Sequence, residues 1–523
     1  MGIDYSPRYK DYALFLPAIS EMAVRWQINK NPKREPPISR EDMNFLSDQS
    51  PIFYIPYALY SAGQAAKSAT AAKKRDCMIT GRDRTKTHTF INYKNEKTTI
   101  PMATIVGDSG GYQIQTTAIK FKGDETREMM MRWLEGVTDW SMVLDFPTGG
   151  INLGNVEQHT SRLIAEGYDV HEFCQSLGFD PGDMQKIGYA TCLMQTMQNN
   201  DYFVKHRVPD ATQFLNVIQG RNVTESDIWY EKVKHYPFEG WSLAGQHKEN
   251  FEMMMKRLIT MRDDGLLENK NWLHVLGVGR LEAGCAYTTM QRCIRESVNP
   301  KFQISYDVSS PFTLAAYGKL FFGYTLSKSA WSLHGDKIDG REFLPGGARA
   351  KTPFLEFIKE NWDAKGLKTI EQGGFGTFVE TEVGKRLTMD QMCVNVDLKF
   401  TSTWDVTSYM YGMIHNLQVL LEGIFHAQDL YDHGDVKLVP NGMLVLKDLI
   451  PRIFASETPL DMIAKHRKEL NYLAGDTAEG GVAALELFDM SSVKSHYTSL
   501  DKMNISNKSP IIKMEAACDL FNF

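Results

Sequence analysis

Between residues 104 and 311 one pattern repeats along the chain. A short apolar segment, often β-branched, runs into a polar or glycine-containing turn, and a helical stretch follows. The segments end at Asp108, Asp145, Gln219 with Gly220, 244–246, 277–279 and Asp307. Short apolar runs bounded by turn residues fit strands buried on both faces. Such strands, alternating with helices, build a parallel α/β sheet. No GxGxxG turn follows the first strand, which weakens the case for an open dinucleotide-binding sheet. About eight such units over roughly 300 residues favour a (β/α)8, TIM-like barrel. In a barrel all strand C-termini converge on one face, so Asp108, Asp145, Gln219, Gly245 and Asp307 are expected to share a pocket.

The pattern also predicts boundaries. Residues 1–50 are expected to form an N-terminal helical preface, amphipathic over 9–26 and broken by the proline-rich 31–37. A first strand is expected at 52–57, a helix at 62–74, and a hairpin at 90–93 and 98–100. The barrel is expected to span 51–430, with an insertion at about 319–405 that opens with hairpin strands at 320–322 and 325–331. A long amphipathic helix over 408–431 packs on the barrel, and 431–523 form a helical C-terminal extension.

The 523 residues are 43% hydrophobic and 23% charged, an ordinary soluble composition. No apolar run approaches the roughly 20 residues of a membrane span, so no membrane partner is expected. Asp4, Arg8 and Lys10 come too early for a signal peptide. Seven cysteines without a CxxC pair suggest neither a disulfide framework nor a zinc ribbon. A cytoplasmic location follows, the host cytoplasm for a viral protein. The net charge of −6 excludes a uniformly basic surface but leaves room for a local basic groove. Lys73, Lys74, Arg75, Arg82, Arg84 and Lys86 follow the first expected strand; such a run is either a solvated face or a set of phosphate contacts.

Two carboxylates differ in setting. Asp307 lies between an apolar strand and Val308, Ser309, Ser310 and Pro311, so its backbone is held firmly. A firmly held, partly buried carboxylate suits covalent attack at a sugar C1′. Asp108 precedes Ser109, Gly110, Gly111, Tyr112 and Gln113. The glycines let another surface come close, the Tyr112 ring can stack on a flat ligand, and Asp108 suits proton handling on a base. Asp145 and Gln219 offer acceptor and mixed edges that match a guanine-like ring, and Gly245 offers backbone groups. A nucleophilic carboxylate with a second as acid and base is the equipment of a retaining displacement at a glycosidic carbon.

The stretch 108–113, DSGGYQ, resembles the DSGGFQ motif of the tRNA-guanine transglycosylase superfamily. Residues 139–145 resemble that family's third strand and base-reading Asp, 217–220 its VQG turn, and 243–245 its IGG turn. Residues 276–279, beginning at Leu276, match its MGVG segment. Tyr306, Asp307 and Pro311 match its FDxxxP segment, and 414–417 resemble the start of its final helix. The likeness runs in order from about residue 50 to 430. It implies a barrel enzyme, a pentosyltransferase, that exchanges guanine in a polynucleotide for a 7-deazaguanine of the preQ0 or queuosine-related kind. Asp307 would be the nucleophile and Asp108 the general acid and base. Asp145, Gln219 and Gly245 would read the base, with Ser109, Gly110, Gly111, Gln113, Gly220, Ala244, Gln246 and Leu276 around it and Tyr112 stacked on it. The target nucleotide would be turned out of its strand.

The chain also departs from that family. The resemblance implies a zinc module of CxCxxC with a later His. His415 falls on the His position, but the three cysteines are missing and only Cys393 lies nearby, so no metal and no other cofactor is expected. Gln246 replaces a usual Leu beside the base. These departures favour the DNA-modifying branch, found in bacteriophages and bacterial modification clusters, over tRNA as partner. A tRNA transglycosylase of the queuine or archaeosine type and a non-catalytic partner subunit are the alternatives. A metal-dependent barrel hydrolase would need strand-end His pairs such as HxH, and none appears. An oligomer is compatible with the sequence.

Overall fold

The apolar segments of the repeat form strands that are almost continuously buried, as a sheet covered on both faces requires. They are β1 Leu14–Pro17, β2 Tyr57–Ser61, β3 Thr104–Asp108, β4 Trp140–Met142, β5 Gln213–Ile218, β6 Gly240–Leu243, β7 Trp272–Val275 and β8 Gln303–Val308. All eight are parallel and neighbours in the sheet follow chain order. β8 returns to β1, with Tyr306 opposite Phe15 and Asp307 opposite Leu16. β1 meets β2 through an Ala18–Leu59 bridge, and the Ile19 N–H donates to the Leu59 carbonyl at 2.9 Å. The result is a mixed α/β fold around an all-parallel, nearly closed, barrel-like sheet, compatible with the expected TIM-like architecture. The computed structural model describes residues 2–28, 34–67, 78–153, 156–248, 250–338, 340–395 and 403–474.

Helices α1 Asp124–Val137, α2 Met184–His206, α3 Val223–Val233, α4 Phe251–Asp263 and α5 Leu281–Ser297 connect the strands. Three start on side-chain caps: Asp183 accepts the Gln185 N–H, Asn222 the Glu225 N–H and Asn250 the Met253 N–H, at 2.8–2.9 Å. α6 Val406–His433 and α7 Asn441–Ala455 follow. α7 packs on α5, and Arg262 of α4 donates to the Phe454 carbonyl at 2.8 Å. Residues 475–523 of the expected helical extension lie outside the described residues.

The N-terminal helical preface is corrected. The expected helix over 9–26 is helical only at its end, within Glu21–Ile28, and its start supplies β1. Tyr12, Ala13, Leu14, Phe15 and Leu16 are buried in succession. A helix with one apolar face leaves some of five consecutive residues in water, whereas a central strand buries them all. Residues 1–50 are therefore no separate segment. Residues 52–57 divide as well: Phe53–Tyr54 pairs in parallel with Ile3–Asp4, and the barrel strand begins at Tyr57. Arg292 of α5 fastens the start of the chain, gripping Asp11 and Asp432 of α6 with four hydrogen bonds of 2.7–2.8 Å.

The insertion holds an antiparallel sheet of β9 Lys319–Leu326, β10 Trp331–Lys337 and β11 Gly376–Phe378. The expected turn near Gly323 is instead a bulge within β9, where the register shifts between Phe321 and Gly323. A Cβ on Gly323 would run into the Thr377 carbonyl oxygen, so the glycine admits the third strand rather than turning the chain.

Candidate functional site

Strand order brings the polar strand ends to one end of the sheet. Ser61, last residue of β2, is in register with Asp108, last residue of β3. The Ser61 hydroxyl and the Gly110 N–H hydrogen-bond Asp108, which favours its ionised form. Burial acts the other way and is the larger effect; with the Asp307 charge it raises the Asp108 pKa above the usual carboxylate range. Asp108 thus feels the charge of Asp307 across the end of the sheet.

The turn after β3 is built for close packing. Gly110 adopts φ +86°, and its Cα faces Gly63 so closely that a Cβ would lie 2.6 Å from the Gly63 Cα. A Cβ on Gly111 would overlap the Asp145 carbonyl oxygen. The surface these glycines let come close is the protein's own, the Gly63 backbone and the Asp145 turn. Gln113, in the short helix Gly111–Gln115, packs against Gly63, while Tyr112 is 50% exposed beside them. Gly111→Ala is expected to displace the Asp145 turn and cost about 1–3 kcal/mol, as overpacking does. A chemical-denaturation midpoint equal to the parent's would contradict that contact.

Asp145, three residues beyond β4, is only 5% exposed. Its Oδ2 accepts from Gln219 Nε2 at 2.7 Å, and the Ser109 hydroxyl points at its Oδ1 at 3.4 Å. Burial, and less strongly the charge of Asp108, push the Asp145 pKa up to about 7, against the Gln219 and Ser109 hydrogen bonds. Gly220 and Gly245 stack their backbones: a Cβ on Gly245, at φ +64°, would lie 2.6 Å from the Gly220 oxygen, to which the Gln246 N–H donates at 3.1 Å. Buried His247 anchors this turn. Its Nδ1–H donates to the Ala244 carbonyl at 2.7 Å, and its Nε2 accepts from Ser226 at 2.8 Å. Ala244 is buried, Gln246 exposed, and Leu276 half-buried with its N–H on the Leu243 carbonyl.

Asp307 lies in β8 and is 7% exposed. Its Oδ1 receives the Gly277 N–H at 2.8 Å and faces His274 Nε2 at 3.2 Å. His274 Nδ1 meets the Ser305 hydroxyl at 2.9 Å, which also accepts from Trp272 Nε1 at 2.7 Å. Ser61, His247, His274 and Ser305 are absent from the sequence expectation. Only His274 carried a legible signal, a lone imidazole inside an otherwise apolar strand.

Of the basic run, Arg82, Arg84 and Lys86 are not brought to this site. Arg82 donates to the carbonyls of Ala103 and Val137 and to Asp139. Arg84 binds Asp139 and the carbonyls of Glu135, Thr138 and Ala211. These partners precede β3, β4 and β5, so both arginines sit at the opposite, N-terminal end of the sheet and tie strand starts together. Exposed Lys86 shares that end, its carbonyl accepting from Met102. Lys73, Lys74 and Arg75 lie outside the described residues.

The zinc that the resemblance implies does not fit these residues. His415 has both ring nitrogens engaged, Nδ1 with the Thr381 hydroxyl and Nε2 with the Phe321 carbonyl, each at 2.7 Å. Burial holds it neutral, with its pKa down at about 4. Cys393 is buried beside Gly340. Among the described residues no group of three or more His, Cys, Asp or Glu side chains is placed to hold a metal ion. No protein-family model matches the chain, and no curated protein matches its sequence.

Proposed function

We propose that the chain is a base-exchange transglycosylase on a (β/α)8 barrel of the TIM type, replacing guanine in DNA with a 7-deazaguanine. The observation that carries this reading is the grouping at one end of the sheet of Asp108, which feels the charge of Asp307, with the buried Asp145–Gln219 pair, which feels the charge of Asp108. One half supplies a nucleophile and an acid for displacement at a sugar carbon. The other offers the acceptor and mixed edges that a guanine ring needs. The ordered resemblance of 108–113, 217–220, 276–279 and 306–311 to transglycosylase motifs supports the same chemistry. DNA is preferred to tRNA because the family's three zinc cysteines are missing from the sequence and His415 has both ring nitrogens engaged within the protein. The test is to incubate the protein with labelled guanine and, separately, duplex DNA, single-stranded DNA and tRNA. Label entering DNA supports the proposal, label entering tRNA alone shifts it to the alternative, and label entering none rejects exchange.

Phosphate contacts are then sought on the turns that bear the site. Lys248 follows β6 and Arg280 follows β7, and Lys248 Nζ lies 3.6 Å from where a Cβ on Gly277 would sit. Replacing either by Ala is expected to flatten the slope of log affinity against log salt by about 0.7–0.9. Arg82→Ala should leave that slope unchanged and lower stability by about 1–3 kcal/mol, because the Ala103 and Val137 carbonyls lose a donor and Asp139 keeps only Arg84 of its two arginines. A salt titration of DNA binding by the three variants decides between the two ends of the barrel.

A further inference from the structure

We propose that His274 is the positioning residue of the Asp307 nucleophile: its Nε2–H holds Oδ1, selects Oδ2 as the attacking oxygen, and polarises the sugar ester that forms. The assignment rests on the transglycosylase reading and adds to it a residue that none of the motifs contains.

The hydrogen-bond chain fixes the imidazole. Trp272 has only an N–H to offer, so Ser305 Oγ accepts it. The Ser305 O–H is then free to donate to His274 Nδ1. A neutral imidazole that accepts at Nδ1 carries its proton on Nε2, directed at Asp307 Oδ1. All four groups sit on two adjacent strands, β7 and β8, with His274 in register with Ser305. His274, Ser305 and Asp307 are all buried, so no bulk water competes with the chain. Oδ1 receives a second donor from the Gly277 N–H. Among the described residues no hydrogen bond to Oδ2 is found, so Oδ2 is the oxygen left to react.

The chemistry follows. A lone pair of Oδ2 forms the bond to C1′ as the C1′–N9 bond of the outgoing guanine breaks. That bonding pair goes to the base, which takes a proton from Asp108. Oδ1 becomes the carbonyl oxygen of the ester, still held by His274 and Gly277. These donors withdraw density from the ester and make the carboxylate a better leaving group. The incoming base then attacks C1′ and gives its proton to Asp108, the C1′–Oδ2 bond breaks, and its pair returns to Asp307. A residue acting this way serves the first half-reaction by orienting Oδ2 toward C1′ and the second by easing the departure of the carboxylate, without touching the polynucleotide or the base.

The test compares His274→Phe, which removes the donor, with His274→Gln, which keeps an N–H, in single- and multiple-turnover exchange of guanine. His274→Phe is expected to lose on the order of 10²-fold in kcat with KM changed less than about 3-fold, and His274→Gln to recover most of that loss. In the ¹⁵N spectrum of the parent, His274 should show the Nε2–H tautomer, and Asp307→Leu should shift that signal. A folded His274→Phe with the parent's kcat overturns the assignment while leaving the transglycosylase reading intact. An Nδ1–H tautomer overturns it even if His274→Phe does not fold. A parent that exchanges no base removes the reading and the assignment together.

Discussion

Asp307→Asn should abolish base exchange, by about 10⁴-fold or more, while the protein keeps its stability. The loss follows from chemistry, since the amide nitrogen that replaces one carboxylate oxygen cannot form the sugar ester. The preserved fold follows from geometry. An Asn in the same rotamer keeps an Oδ1 acceptor for the Gly277 N–H and for His274, so neither donor is stranded. Labelled-guanine exchange and trapping of the protein–DNA adduct on a denaturing gel read the activity, and a thermal melt reads the fold. Near-normal exchange by this variant would remove Asp307 from the chemistry.

Asp145 should make base affinity depend on pH near neutrality. Its carboxyl is pushed up to about 7, chiefly by burial. A guanine edge presents N–H donors, which need the ionised acceptor. Below about pH 7 binding must first expel a proton, so affinity should rise up to tenfold per pH unit and level off above. Asp145→Asn should lose on the order of 10²-fold in affinity at pH 8 and show little pH dependence. Calorimetric titration with a guanine-type base from pH 5 to 9 checks both. The folded pKa stands above the unfolded value of 3.8, so the native state holds this proton more tightly than the unfolded chain. The stabilising effect of the bound proton is complete below about pH 4 and is lost as pH rises through about 7, amounting to on the order of 4 kcal/mol at most. Denaturation series at pH 4 and pH 8 should therefore differ less for Asp145→Asn than for the parent.

The strand ends were legible because a parallel strand buried on both faces leaves an apolar run that stops at a polar residue. Asp108, Asp145, Gln219, Gly245 and Asp307 were all located that way, and the structure brings their strands side by side in one sheet. β1 was not legible: four residues, Leu14–Pro17, are too short a run to separate a strand from a turn of amphipathic helix. Arg82 and Arg84 follow β2 in the chain yet lie away from the strand C-termini, for a topological reason. A connection between parallel strands begins at the C-terminal end of the sheet but must travel back before the next strand can start. The late part of the β2–β3 connection therefore lies at the other end, whatever its charge. Gly110 and Gly111 announced a close approach, but sequence could not say to what. His274 escaped because its partners, Ser305 and Asp307, are distant in sequence and become neighbours only through the pairing of β7 with β8.

The position of β1 between β8 and β2 bears on how the protein is made. Of the eight strands of the sheet β1 is made before the rest, yet its partner in β8 is synthesised about 300 residues later, on the order of 15–60 s at ordinary elongation rates. During that interval the nascent sheet has two unsealed edges, and β1 has only β2 to lean on. The Arg292 clamp on Asp11 and Asp432 cannot form until α6 has emerged as well. Closure therefore has to wait until β8 and α6 have been made, and it draws both ends of the parallel sheet together. An affinity tag fused directly ahead of Ile3–Asp4, which pairs with Phe53–Tyr54, would burden that seam, so expression yield should respond to the length of the spacer behind the tag more than to any change in the loops.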